Sequence, residues 1–92
     1  MTAYDPYYPV VCAALRKGNR LICGVRHYDP IMRAQINARS DAADWRACEQ
    51  GFVNSVGQFL TREEGLLVAQ AHGQIRRRVG GDTTQLFSEN LY

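Results

Sequence analysis

The residues able to do chemistry in this chain fall into a few short stretches. Arg26-His27-Tyr28 closes an apolar run and sets a cation, an imidazole and an aromatic side by side. Phe52, Phe59 and Arg62 fall at the turns of QGFVNSVGQFLTREEGLLVAQAHG, residues 50–73, the first place to expect a ligand. Arg76, Arg77 and Arg78 are consecutive guanidiniums that either meet phosphate or form a solvated basic edge. His27 serves equally well as a ligand contact or as a structural histidine bonded to backbone. The acid–base inventory is thin. Hydrolysis needs a positioned acid–base set or a metal, and only Glu63, Glu64, His27 and His72 stand out, the two glutamates being helix-start residues. Cys12, Cys23 and Cys48 show no CxxC spacing, and with two histidines in the chain no metal site and no cofactor are expected. The thiols read as reduced, mostly buried small apolar groups, and no motif or adjacent base marks one as a nucleophile.

The elements that must position these groups can be read in order. Residues 1–9 carry three tyrosines and two prolines and are expected to form an extended arm laid on the body or on a neighbouring subunit. Val10–Leu15 and Leu21–Val25 read as a hairpin turned by Lys17-Gly18-Asn19-Arg20; the runs are nearly continuous, which predicts cover on both faces. Asp29-Pro30 predicts a helix ending near Asn37 or Ala38, with Asp as N-cap and Pro in its first turn. A second short helix is expected around 42–48, with Trp45 facing inward. Gln50–Asn54 and Gln58–Leu60 form the next hairpin around Ser55-Val56-Gly57. Thr61 and Glu64 then make a capping box, and Gly73 ends that helix. Gly65 costs about 1 kcal/mol relative to Ala in its interior. Arg76–Arg78 is an extended rim. Residues 80–84 form a flexible loop lacking the pattern of a P-loop. The closing QLFSENLY carries too much apolar bulk for a free tail and should dock on the body. The expected fold is α+β: a small antiparallel β-sheet of hairpins packed with two or three helices, one domain over 10–92 behind the arm.

Composition sets limits. Ninety-two residues with a hydrophobic fraction of 46% suit one folded domain with a modest core, often helped by oligomerisation. Eleven basic against nine acidic residues leave a net charge of +2, too little to argue for DNA or RNA binding. No apolar run approaches the roughly 18 residues of a membrane span, and MTAYDPYYPV lacks the features of a signal peptide, so no membrane association and a cytoplasmic location are expected.

GVRHYD, QGFVNSVGQFLTREE, GQI and a terminal LFSENLY, in that order, resemble the phage-encoded Thoeris anti-defence sponge proteins of the first described family. The similarity covers roughly Val10 to Tyr92, with gaps in the middle and before the tail. The resemblance implies a protein without catalytic activity. It would bind a cyclic ADP-ribose signal made by a bacterial TIR-domain enzyme and hold it from its effector in the infected host cell. It also implies a homo-oligomer, a dimer or a trimer of dimers, with pockets at or near subunit interfaces; some members also hold cyclic oligonucleotides. Such a ligand needs cations for its pyrophosphate, a ring or apolar wall for adenine, and polar groups for the ribose hydroxyls. The residues assigned to it are Arg26, His27, Phe52, Thr61, Arg62, Gln74 and Arg77, with Phe59 an alternative wall and Asn90 an alternative polar contact. The chain departs from the family in Gly65, where alanine is expected, and in SEN at 88–90 for SED, which removes a carboxylate. The alternatives are an inhibitor or structural protein that binds another protein through the aromatic arm, and a signal-degrading enzyme.

Overall fold

A computed structural model describes residues 4–18, 20–39, 45, 48–78 and 84–91. Four strands form one antiparallel sheet: β1 (Val10–Lys17), β2 (Arg20–Gly24), β3 (Glu49–Asn54) and β4 (Phe59–Thr61), in spatial order β2-β1-β3-β4. Two helices complete the fold, α1 (Pro30–Asn37) and α2 (Arg62–Ala71), with a single 3-10 turn at Ser88–Asn90. This is the α+β domain that the patterning predicts. Most of the second helix expected at 42–48, Asn19 of the first turn, most of the 80–84 loop and Tyr92 lie outside the described residues; Trp45 is fully buried, as expected.

Period-two alternation decides which side chains face the helices. Ile22 lies opposite Leu15, and Ala13, Phe52 and Leu60 align across β1, β3 and β4. These meet Met32 and Ile36 of α1 and Leu66, Val68 and Ala69 of α2 in one core, joined by Leu86 and Leu91 of the tail. On the opposite face Cys23, Ala14, Gly51 and Thr61 align. Ala14, at the centre of that face, is fully buried, but Val11 and Leu21 are 50% and 38% exposed, so the two-sided cover expected of the first hairpin holds only at its centre. Short side chains leave room there for the sheet to cover itself. The ring of Phe59 lies over Gly51, where a Cβ would strike it, and Arg16 stacks on that ring at 4.2 Å while pairing with Glu49 at 2.6 Å.

Helix ends follow their sequence signals. Asp29 Oδ1 accepts from Met32 N at 2.7 Å, and its other oxygen accepts from Arg26 N at 3.1 Å, so one carboxylate starts α1 and fixes the loop before it. Thr61 and Glu64 exchange bonds of 3.2 and 2.9 Å at the start of α2. At its end Gln74 N reaches Ala69 O (2.8 Å) and Gly73 N reaches Gln70 O (3.2 Å), a Schellman closure that uses the left-handed backbone of Gly73, φ +65°. Gly65 has a packing reason. A Cβ there would stand 3.2 Å from both Phe52 and Leu86, so the helix-propensity cost allows α2 to lie close over the ring and the tail.

The tail docks as expected. Asn90, fully buried, accepts from Phe87 N at 2.8 Å through Oδ1 and donates to Arg77 O at 2.9 Å through Nδ2, while its own carbonyl receives Arg76 N at 2.6 Å. The asparagine of SEN is thus a donor as well as an acceptor, which an ionised aspartate is not. Asn90→Asp is expected to cost about 1–3 kcal/mol at neutral pH in a denaturant titration. Unchanged stability would mean that the Arg77 carbonyl does not depend on that donor. Phe52→Ala should cost about 3–5 kcal/mol, as for a ring fully enclosed in the core. A loss under about 1 kcal/mol would contradict that enclosure.

Candidate functional site

One cluster of polar groups lies where the loop between β2 and α1 meets β3, the start of α2 and the docked tail. Arg62 begins α2 half-buried. Its Nη1 donates to Leu86 O at 2.8 Å, its Nη2 donates to Gln50 Oε1 at 2.6 Å, and its guanidinium lies 5.1 Å from the centre of the Phe87 ring. Both direct partners are neutral, and no carboxylate of the described residues stands at ion-pair distance from it. Burial pulls this guanidinium below its ordinary pKa; Glu89 and Glu63 oppose that from farther away. Gln50 also lies near the Tyr28 phenol, whose pKa burial raises and the neighbouring Gln50 and Arg62 lower. Tyr28 itself has φ +57°, left-handed backbone that bulky residues seldom adopt.

His27 joins three segments. Nε2 stands 2.7 Å from Gly51 O, and Nδ1 stands 2.7 Å from Ser88 Oγ. A carbonyl only accepts, so Nε2 carries the proton and Nδ1 accepts from the serine hydroxyl. The same hydroxyl receives the His27 backbone N–H at 3.3 Å. The ring meets Phe52 edge-on, with centroids 5.1 Å apart. Burial first, and then the nearby Arg62 charge, hold the imidazole pKa below its ordinary value, so the ring is neutral at physiological pH.

Of the residues singled out from sequence, Arg26, His27 and Arg62 belong to this neighbourhood: Arg26 adjoins His27 on the loop, and the Arg62 charge reaches the imidazole. Phe52 lies beneath it, fully enclosed. Thr61 adjoins Arg62 and caps α2. Gln74 sits toward the other end of β1, where its side chain both accepts from Val10 N (2.9 Å) and donates to Val10 O (2.8 Å). Arg77 is exposed beside the docked tail, its carbonyl taken by Asn90. Sequence reasoning set Tyr28 beside His27 at the rim and marked 88–90 as a polar contact, but missed Gln50 and Phe87 as members of this site. Gln50 had a signal: it shares the inward face of β3 with Phe52. The backbone of Tyr28 had none.

A hollow of about 270 Å³ adjoins Tyr28, lined also by Arg33, Ile36 and Asn37. A larger and more open one of about 580 Å³ lies at the arm, lined by Pro6, Tyr7, Tyr8, Pro9 and His72. The larger hollow has no guanidinium or ammonium in its lining, whereas the smaller one has Arg33 on its wall and Tyr28, a neighbour of Arg62, at its edge. Among the described residues no three His, Cys, Asp or Glu side chains are grouped to hold a metal ion, and no helix is long and apolar enough to cross a membrane.

The lowered His27 pKa has a sign that can be checked. The folded state binds fewer protons there than the unfolded chain, so His27 contributes stability at pH values above the unfolded value near 6.5 and loses it as pH falls through that value. Asp29 is also held low, chiefly by the Met32 N–H, but its contribution is lost in the separate window below ordinary carboxylate values. The melting temperature is therefore expected to drop between about pH 7 and 5.5, and His27→Gln should flatten that step. A profile flat over this range in the parent protein would contradict the neutral, doubly bonded imidazole.

The model of a family described as Phage T4 y16D protein matches residues 9–92 of the chain. No curated protein and no solved structure matches it.

Proposed function

The chain belongs to the family of the phage T4 y16D protein, and on that premise we propose that it is a non-catalytic phage protein that binds and sequesters a cyclic ADP-ribose-type immune signal. The observation that carries this reading is the Arg62 guanidinium, half-buried and held by two neutral acceptors. A desolvated cation without a close counter-ion favours an incoming anion, and a planar guanidinium suits phosphate. Arg26 and His27, which the resemblance to Thoeris anti-defence sponges assigns to the ligand, lie in the same neighbourhood. Val25 and Ile31 flank the Arg26–Asp29 loop in sequence and are 50% and 59% exposed, apolar groups that a second copy would cover in a dimer or trimer of dimers.

Holding rather than cleaving fits the same geometry. Ser88 is buried, 2% exposed, and the imidazole beside it turns its other nitrogen to a backbone carbonyl, not to a carboxylate. A serine so enclosed has no room for an attacking trajectory, and its histidine has no acidic partner to stabilise an imidazolium. A second reading, inhibition of another protein through the arm, draws support from Tyr7, which is 69% exposed.

The test is calorimetric titration with cyclic ADP-ribose isomers and cyclic di- and trinucleotides, followed by heat denaturation and mass analysis of the released ligand. Stoichiometric binding and an intact cyclic ligand are expected. Arg62→Gln should weaken binding at least about tenfold, the loss of one hydrogen bond to a charged group. Recovery of a linear or hydrolysed product would replace this reading with an enzymatic one. No binding of any of these ligands, together with a stable complex with a host protein, would favour the arm.

A further inference from the structure

We propose that Tyr28 is the platform for the ring-bearing half of the ligand, and that the hollow between Tyr28 and α1, with Arg33 on its wall, is the second compartment of the Arg62 site. This rests on the reading of Arg62 given above and adds to it where the rest of a nucleotide would sit.

Four observations converge on this hollow. The first is the backbone. A left-handed conformation is unfavourable for a residue with a Cβ, and Gly or Asn adopts it more readily. The turn between Arg26 and the Asp29 cap requires that conformation of residue 28, φ +57°, yet an aromatic occupies it. Strain retained by a bulky side chain points to a use for that side chain. Tyr28 packs only partly against the core, so burial of the ring is an incomplete reason. The second is proximity. Gln50 Oε1 receives Arg62 Nη2 at 2.6 Å, and the Tyr28 phenol and the Arg62 guanidinium are near enough to act on one another electrostatically. The third is space. The hollow holds about 270 Å³, has Ile36 as an apolar wall and is lined also by Asn37, an amide. That is near the lower limit of small-ligand pockets and suits a nucleobase or a ribose, not a whole dinucleotide. The fourth is charge. The Arg33 guanidinium makes no hydrogen bond or ion pair with the described residues, so a second cation is available in the lining of this hollow, beside Tyr28.

The experiment compares cyclic ADP-ribose with inorganic pyrophosphate by calorimetry on four proteins: the parent, Tyr28→Leu, Arg33→Gln and Arg62→Gln. Tyr28→Leu should lower affinity for cyclic ADP-ribose roughly tenfold, the usual loss of a base-stacking ring, and leave that for pyrophosphate within about twofold. A residue that only supports the fold would weaken both ligands together. Arg33 is exposed on α1, so Arg33→Gln should keep the parent melting temperature and lower cyclic ADP-ribose affinity about fivefold; it carries the test even if the Tyr28 variant misfolds. Equal losses for both ligands in a folded Tyr28→Leu, or no effect of Arg33→Gln, would overturn the proposal. If Arg62→Gln is silent while the other two variants weaken cyclic ADP-ribose, the Arg62 reading fails and the hollow stands. If the parent binds neither ligand, both fall together.

Discussion

The neutral imidazole of His27 is the joint on which this small fold depends. It stands on the ring of Phe52 and uses both nitrogens, one donating to a β3 carbonyl and one accepting from a serine of the tail. Three segments distant in sequence are thereby held by groups whose donor and acceptor roles the neutral ring matches, and burial and the nearby Arg62 charge favour that neutral form. A second proton would require Nδ1–H to face an oxygen that already receives the His27 backbone N–H, within reach of the Arg62 charge. The Arg26-His27-Tyr28 loop and the tail around Leu86–Asn90 are therefore not independent, and neither is the site that they form.

Arg62 depends on the same docking. Leu86 supplies the carbonyl that orients its guanidinium, and Leu86 is fixed because its side chain fills the core against α2 beside Gly65. The close approach that glycine permits between helix and tail is thus upstream of where the cation points. Burial raises the cost of that charge, and two neutral hydrogen bonds offset it only in part. The result is a position whose energy improves when an anion arrives.

Much of the architecture was legible in the chain. Asp29-Pro30, the Thr61–Glu64 box and Gly73 mark helix ends through local hydrogen bonding, which depends on residues a few positions apart, and the structure repeats them. The inward alternation of Phe52 and Leu60 likewise follows from strand geometry. The outer face of the first hairpin was read only in part, because an apolar run looks the same whether a helix covers it or the sheet's own Phe59 and Arg16 do. The site was less legible. Asn90 reads as a polar tail residue and is fully buried; Gln74 reads as a ligand contact and in the fold bonds the start of β1.

By itself the sequence determined the elements, their ends and the faces they bury, because those rest on short-range periodicity and capping. Tertiary structure alone decided which polar groups meet. That Phe52 lies under His27, that Gln50 meets Arg62, and that Tyr28 takes a left-handed backbone all depend on the register of β3 and the docking of a tail more than twenty residues away in the chain. No local pattern encodes those distances, because each is set by how the whole core closes around Phe52, Leu86 and the bare backbone of Gly65.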